Sequence, residues 1–217
     1  MGSCGSSSKS SKKMTGKNAN GQNRAFYDMT DKFAGMSMHE FENAIRDRAQ
    51  EVLGGFDADG KLVVAGTSNA NGSVVVPVYH PNFGEITTLT HNHPSNANRP
   101  VGGTLSEADV KVLATYPNLN SMRAVASGKA ENTYIMQKSA NKKANRAGLL
   151  QDTISAEYTL KLNKMGRKTV AKVEKKMGRP LTNAETSAAY IGGMKNAWKG
   201  IASKNGYDYV ALKNVPW

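Results

Sequence analysis

The chain has little of what extracellular or membrane-spanning proteins need. One cysteine, Cys4, stands among 217 residues, so no intrachain disulfide can form. A reducing compartment, the cytoplasm in the simplest case, is therefore expected. No apolar run approaches the ~20 residues that cross a bilayer, and no apolar segment follows Met1 in the manner of a secretory signal. Acidic residues are also scarce at the start, where Lys9, Lys12, Lys13, Lys17 and Arg24 all precede the first of them, Asp28. No internal repeat is visible. The hydrophobic share of 39% is enough to bury a core of moderate size.

Basic charge is abundant. The net charge of +12 favours polyanionic partners: nucleic acid, anionic lipid or an acidic protein face. The surplus lies in the N-terminal stretch and between Lys138 and Arg179, which includes Arg167, Lys168, Lys172, Lys175 and Lys176. The middle of the chain is closer to neutral. A stacking nucleic-acid surface wants aromatic residues among its cations, and the second stretch holds only Tyr158. Its simpler reading is a solvated face.

Three regions follow. Residues 1–24 are Gly, Ser, Lys and Asn with almost nothing to bury, and are expected to form a disordered basic tail. Gly2 and Cys4 match an acylation pattern, and with the lysines behind them would suffice as a membrane anchor; a flexible leader is the plainer reading. Residues 25–137 are expected to form an α+β domain, a mixed sheet flanked by helices. Residues 138–217 are expected to form a mostly helical basic extension, with Pro180 between two helices and a last strand possible over Gly206–Leu212.

Local signals mark the elements. Ser37 and Glu40 make a capping box before Met38, Phe41 and Ile45 at helical spacing. Asp59-Gly60 and Asn71-Gly72 signal turns between β-branched segments. Ile86 to Thr90 reads as a strand running into His91, and Ser106 to Tyr116 as a helix. Met122 to Ala126 and Thr133 to Met136 read as short strands. Thr182 and Glu185 make another capping box before Ala189, Ile191, Met194, Trp198 and Ile201.

The chemistry concentrates in Thr90-His91-Asn92-His93-Pro94-Ser95 and Ser106-Glu107-Ala108-Asp109. Histidines two apart on a strand point the same way, because side chains alternate with period two. Two imidazoles on one side can share a cation, and zinc accepts neutral His nitrogen and carboxylate while a catalytic site keeps a position open. Asp109 can be the third ligand if its helix starts over the end of the histidine strand. Glu51, at the start of the first strand, is the candidate general acid/base, with Glu40, Glu42 and Glu85 as rivals. The Ser106 hydroxyl can serve the oxyanion of an attacked carbonyl. Ser106 and Asp109 also form a capping box, a role that can coexist with ligation. His80, before Pro81, reads as structural.

Glu…His-x-His-Pro…Ser-x-x-Asp, as Glu51, His91 to Pro94 and Ser106 to Asp109, resembles the JAMM signature of the JAB/MPN family. The wording of residues 91–95 is similar to RadC-like members. Asp59-Gly60-Lys61, Thr90 to Pro94, Leu105 to Val110 and Asn132-Thr133-Tyr134 together resemble JAB domains of phage head-morphogenesis proteins and polymorphic toxins. The likeness spans residues 37–137. It implies a cytidine-deaminase-like fold and a zinc-dependent peptidase or isopeptidase acting on a protein, ubiquitin-like or phage-derived. It also implies His91, His93 and Asp109 as ligands, with Glu51 and Ser106 as catalytic groups. One departure stands out: the family's usual spacing after His93 lands on Val101, so an insertion is expected in the Asn96 to Gly103 loop. Such a loop costs little, since doubling its length costs about 0.6 kcal/mol. Two other functions fit the residues: a virion-associated structural protein built on a JAB-like core, and a RadC-like DNA-associated factor.

Overall fold

The computed structural model describes residues 12–68, 75–94, 103–127, 132–154 and 156–213. Strands β1 (Lys13–Lys17), β2 (Asn23–Asp28), β3 (Val52–Phe56), β4 (Leu62–Thr67), β5 (Thr88–His93), β6 (Ser121–Ala126), β7 (Asn132–Lys138) and β8 (Tyr207–Lys213) form one eight-stranded sheet in the order β1-β2-β4-β3-β5-β6-β7-β8. The helices are α1 (Met38–Arg46), α2 (Glu107–Thr115), α3 (Arg146–Ile154), α4 (Ala156–Met177) and α5 (Asn183–Lys204). The protein is thus α+β, a mostly antiparallel sheet flanked by helices. None of the described helices is long and apolar enough to cross a membrane.

Capping explains where three helices start. Ser37, Ser106 and Thr182 each accept from the backbone N–H of the third helical residue, whose carboxylate returns to the cap backbone. Two otherwise orphaned N–H groups are satisfied each time, which is worth about 1 kcal/mol for the cap alone. The β3–β4 hairpin turns through Asp57 to Lys61, where the Asp57 carboxylate accepts from the backbone N–H of Asp59 and Lys61 at 3.0 and 2.8 Å. Gly60 takes φ of +79°, a conformation that disfavours side-chain-bearing residues. The Asn71-Gly72 turn lies outside the described residues.

Period-two alternation divides the core. Val52 and Phe56 of β3 face α1 and pack with Phe33, Phe41 and Ile45. Gly54, on the same face, lets the Phe41 ring lie against the strand: a Cβ there would sit 2.5 Å from the ring. Leu53, Val64, Leu89 and Met122 face the other way and join Val110, Leu113, Leu149, Trp198 and Ile201 of α2, α3 and α5 in the larger core. Helix α4 packs along α5.

Two boundaries differ from the expectation. Residues 12–24 are not a disordered tail: β1 pairs with β2 along its length, and Lys17 exchanges backbone hydrogen bonds with Val76 at 2.9 and 2.8 Å. The reason is Phe26, fully buried on β2, which carries this hairpin onto the sheet beside β4. The segment after 137 is likewise joined to the sheet, since β8 pairs with β7 from Lys138↔Tyr207 to Asn132↔Lys213. Trp198 of α5 is fully buried, and its indole N–H donates to the Leu105 carbonyl at 2.9 Å. Trp198→Ala should therefore cost about 3–5 kcal/mol in urea unfolding. A loss under about 1 kcal/mol would mean that the helical segment folds apart from the sheet.

Candidate metal centre

β5 and β6 are the one parallel pair among the described strands, and α2 forms part of the crossover between them. A parallel connection needs such a crossover, and this one brings the start of α2 over the end of β5. His91 and His93 share a face of β5, and Asp109 lies in the first turn of α2. The three residues bring one ligand atom each within 4.8 Å of one another. Residues 95–102, where an insertion is expected, lie outside the described residues.

The geometry fits a small cation. His91 Nε2 lies 2.9 Å from His93 Nε2 and 3.1 Å from Asp109 Oδ1, and His93 Nε2 lies 3.5 Å from Asp109 Oδ2. Tetrahedral zinc with bonds of ~2.0–2.1 Å separates its ligand atoms by about 3.3 Å. His91 is fully buried and Asp109 nearly so. Two imidazole nitrogens this close cannot both direct protons at each other, and a shared cation removes the conflict. His93 Nδ1 faces the Gly103 carbonyl at 3.1 Å, an acceptor for the Nδ1 proton of the neutral tautomer that would offer an Nε2 lone pair to a cation. His91 Nδ1 is buried with no partner among the described residues.

The Ser106 backbone N–H and hydroxyl donate to Asp109 Oδ2 at 2.6 and 2.8 Å. The capping box thereby orients the carboxylate and leaves Oδ1 toward His91. Ser106 thus already uses its hydroxyl on Asp109, the capping role that the sequence also allows. Glu51 immediately precedes β3, half-buried. Burial pushes its carboxyl above the usual value, His91 and His93 pull it back down, and the Asp109 charge adds to the rise. Glu51 thus feels the charges of all three candidate ligands.

His93 and Asp109 shift each other's protonation. Burial alone would lower His93, but the hydrogen bond and charge of Asp109, then the Glu51 charge, raise it to about 9. Burial likewise opposes ionisation of Asp109, yet the charge and hydrogen bond of His91 and the contacts of His93 hold it well below the usual range. Glu42, a rival to Glu51, is buried in the other layer, where its carboxylate pairs with Arg123 at 2.6 Å and accepts from the Thr90 hydroxyl. Glu40 is committed to its capping box. His80 accepts from the Asn82 backbone N–H in a turn, as a structural histidine does.

Two contributors were not singled out from sequence: the Gly103 carbonyl, and Asn92, whose side chain lies on the face of β5 opposite the histidines. A buried polar residue between two ligand candidates was the available signal for Asn92. Comparisons of the chain with models of known families, with curated proteins and with solved structures find no match.

Zinc-supplemented protein should hold about one zinc per chain after dialysis, measured by plasma mass spectrometry. His91→Ala/His93→Ala should hold almost none. Equal zinc in both would rule out this centre.

Proposed function

We propose that the protein is a zinc-dependent hydrolase of JAMM type, with a JAB/MPN-like core, that cleaves a peptide or isopeptide bond in a protein substrate. The observation that carries this reading is the convergence of His91, His93 and Asp109, with Glu51 beside them. The placement supports it too: His-x-His at the end of a strand, Ser-x-x-Asp at the start of the next helix, and the glutamate just before a β-hairpin.

His91 Nε2, His93 Nε2 and Asp109 Oδ1 would hold the ion. Bound there, zinc supplies Lewis acidity and lowers the pKa of water. Glu51 is not among the ligand set and serves as the proton carrier: its carboxylate takes a proton from the attacking water and passes it to the leaving amine. A carboxyl raised by burial suits that exchange, because its pKa moves toward the working pH. The Gly103 carbonyl keeps the His93 ring in the ligating tautomer. Ser106 orients Asp109, and its hydroxyl would serve a developing oxyanion only by turning its one proton away from that carboxylate.

The test is Glu51→Gln. Zinc-loaded wild-type protein should cleave members of a proteome-derived peptide library or of a set of lysine-linked isopeptides, read by mass spectrometry. Glu51→Gln should keep its zinc and lose at least about 100-fold in rate. Full activity in a zinc-loaded Glu51→Gln protein would remove Glu51 from the mechanism.

A second reading, association with nucleic acid, is favoured by α4. Lys161, Lys164, Arg167, Lys168, Lys172, Lys175 and Lys176 are all exposed along it. Phosphate contacts of this kind release counterions, so affinity should fall steeply with salt. Replacing Arg167, Lys168, Lys172, Lys175 and Lys176 with Gln should weaken duplex DNA binding and flatten its salt dependence. Fluorescence anisotropy across a salt series reads both, and binding indifferent to salt would end this reading.

A further inference from the structure

Asn92 stands between the two histidines in sequence and behind them in space. Its side chain is fully buried, and its amide is spent on the segment between α1 and β3. Oδ1 accepts from the Val52 backbone N–H at 2.7 Å. Nδ2 donates to the carbonyls of Arg48 and Gln50 at 3.0 and 3.1 Å. Gln50 and Val52 are the two neighbours of Glu51. The Glu51 carbonyl itself accepts from the Thr67 hydroxyl at 2.7 Å.

The sheet register shows what this accomplishes. The β3–β5 ladder ends at Leu53↔His91. Continued by two steps, it would set Val52 against Asn92 and Glu51 against His93. The Asn92 amide takes over from the ladder at that point and holds the departing strand. Period two then puts the Glu51 side chain on the face of Leu53 and His91, where the three candidate ligands lie.

We infer that Asn92 is a positioning residue for Glu51: by binding the backbone on both sides of it, Asn92 fixes the carboxylate toward His91, His93 and Asp109. The inference rests on the proposed hydrolase function and extends it. One acceptor and two donors at a single branch point match one N–H and two carbonyls, a set only an amide supplies. An aspartate would turn an oxygen on the carbonyls, and an alanine would leave the buried Val52 N–H unmatched and free the carbonyls of Arg48 and Gln50. One strand thus presents the cation ligands on one face and fixes the proton carrier from the other.

Cobalt(II) is the probe. It takes the place of zinc in such donor sets and gives a visible spectrum that changes with pH as nearby groups ionise. Wild type, Glu51→Gln and Asn92→Ala are loaded with cobalt and titrated, with circular dichroism as the check on folding. Asn92→Ser stands in if the alanine variant does not fold. Asn92→Ala should bind cobalt within about 3-fold of wild type while its spectral transition moves by about one pH unit in the direction seen for Glu51→Gln. A curve unmoved in Asn92→Ala but moved in Glu51→Gln overturns the inference and leaves the proposed function standing. Cobalt affinity reduced more than about 10-fold in Asn92→Ala overturns it as well, because the residue then supports the ligands and not Glu51. An unmoved curve in Glu51→Gln removes Glu51 from the site and the inference with it, and a wild-type protein that takes up no cobalt overturns the proposed function itself.

Discussion

Parallel strands cannot be joined by a tight turn, and in this protein that constraint builds the centre. β5 and β6 run side by side in the same direction, so the chain between them must leave the sheet, cross it and return. α2 lies in that crossover, and its first turn arrives over the end of β5. The histidines end one element and the aspartate begins the next, yet their ligand atoms come within 4.8 Å. An antiparallel pairing here would remove the crossover that brings α2 over the histidines.

β5 carries two tasks divided by the pleat. His91 and His93 point to the α2 layer, and Thr90 and Asn92 point to the α1 layer. Thr90 donates to Glu42, which also binds the Arg123 guanidinium of β6 at 2.6 and 3.0 Å, so α1, β5 and β6 are tied together under the site. Removing one partner of such a buried pair leaves an uncompensated charge, at a cost of about 3–5 kcal/mol. The C-terminal elements brace the opposite side. Trp198 binds the Leu105 carbonyl, and the Tyr209 and Thr104 hydroxyls are hydrogen-bonded, so α5 and β8 hold residues 104 and 105 between Gly103 and Ser106. The segment after residue 137 is part of the scaffold of the centre.

The elements that could be read from sequence are those with local causes. Three capping boxes start α1, α2 and α5 where Ser37, Ser106 and Thr182 stand, because each box is closed within four residues. The β3–β4 hairpin was visible in Asp59-Gly60, and a last strand was one reading of Gly206–Leu212. β1 was not visible. Lys13 to Lys17 is polar and basic, and forms a strand through pairing with β2 and Val76, with Phe26 anchoring that hairpin from outside the segment. The long stretch after Lys138 showed helical spacing but not its docking, which depends on facing apolar surfaces far apart in the chain.

By itself, the sequence determined the chemistry on offer: two imidazoles held to one side by the period of a strand, and a carboxylate held at a helix start by its own cap. Both are local consequences of backbone geometry. Tertiary structure decided which of these groups meet. It committed Glu40 to a cap and Glu42 to Arg123, while the strand that follows Glu51 pairs with β5. It also brought Asn92 to its partners, since the groups it binds lie forty or more positions away along the chain and only sheet pairing brings them within hydrogen-bonding distance.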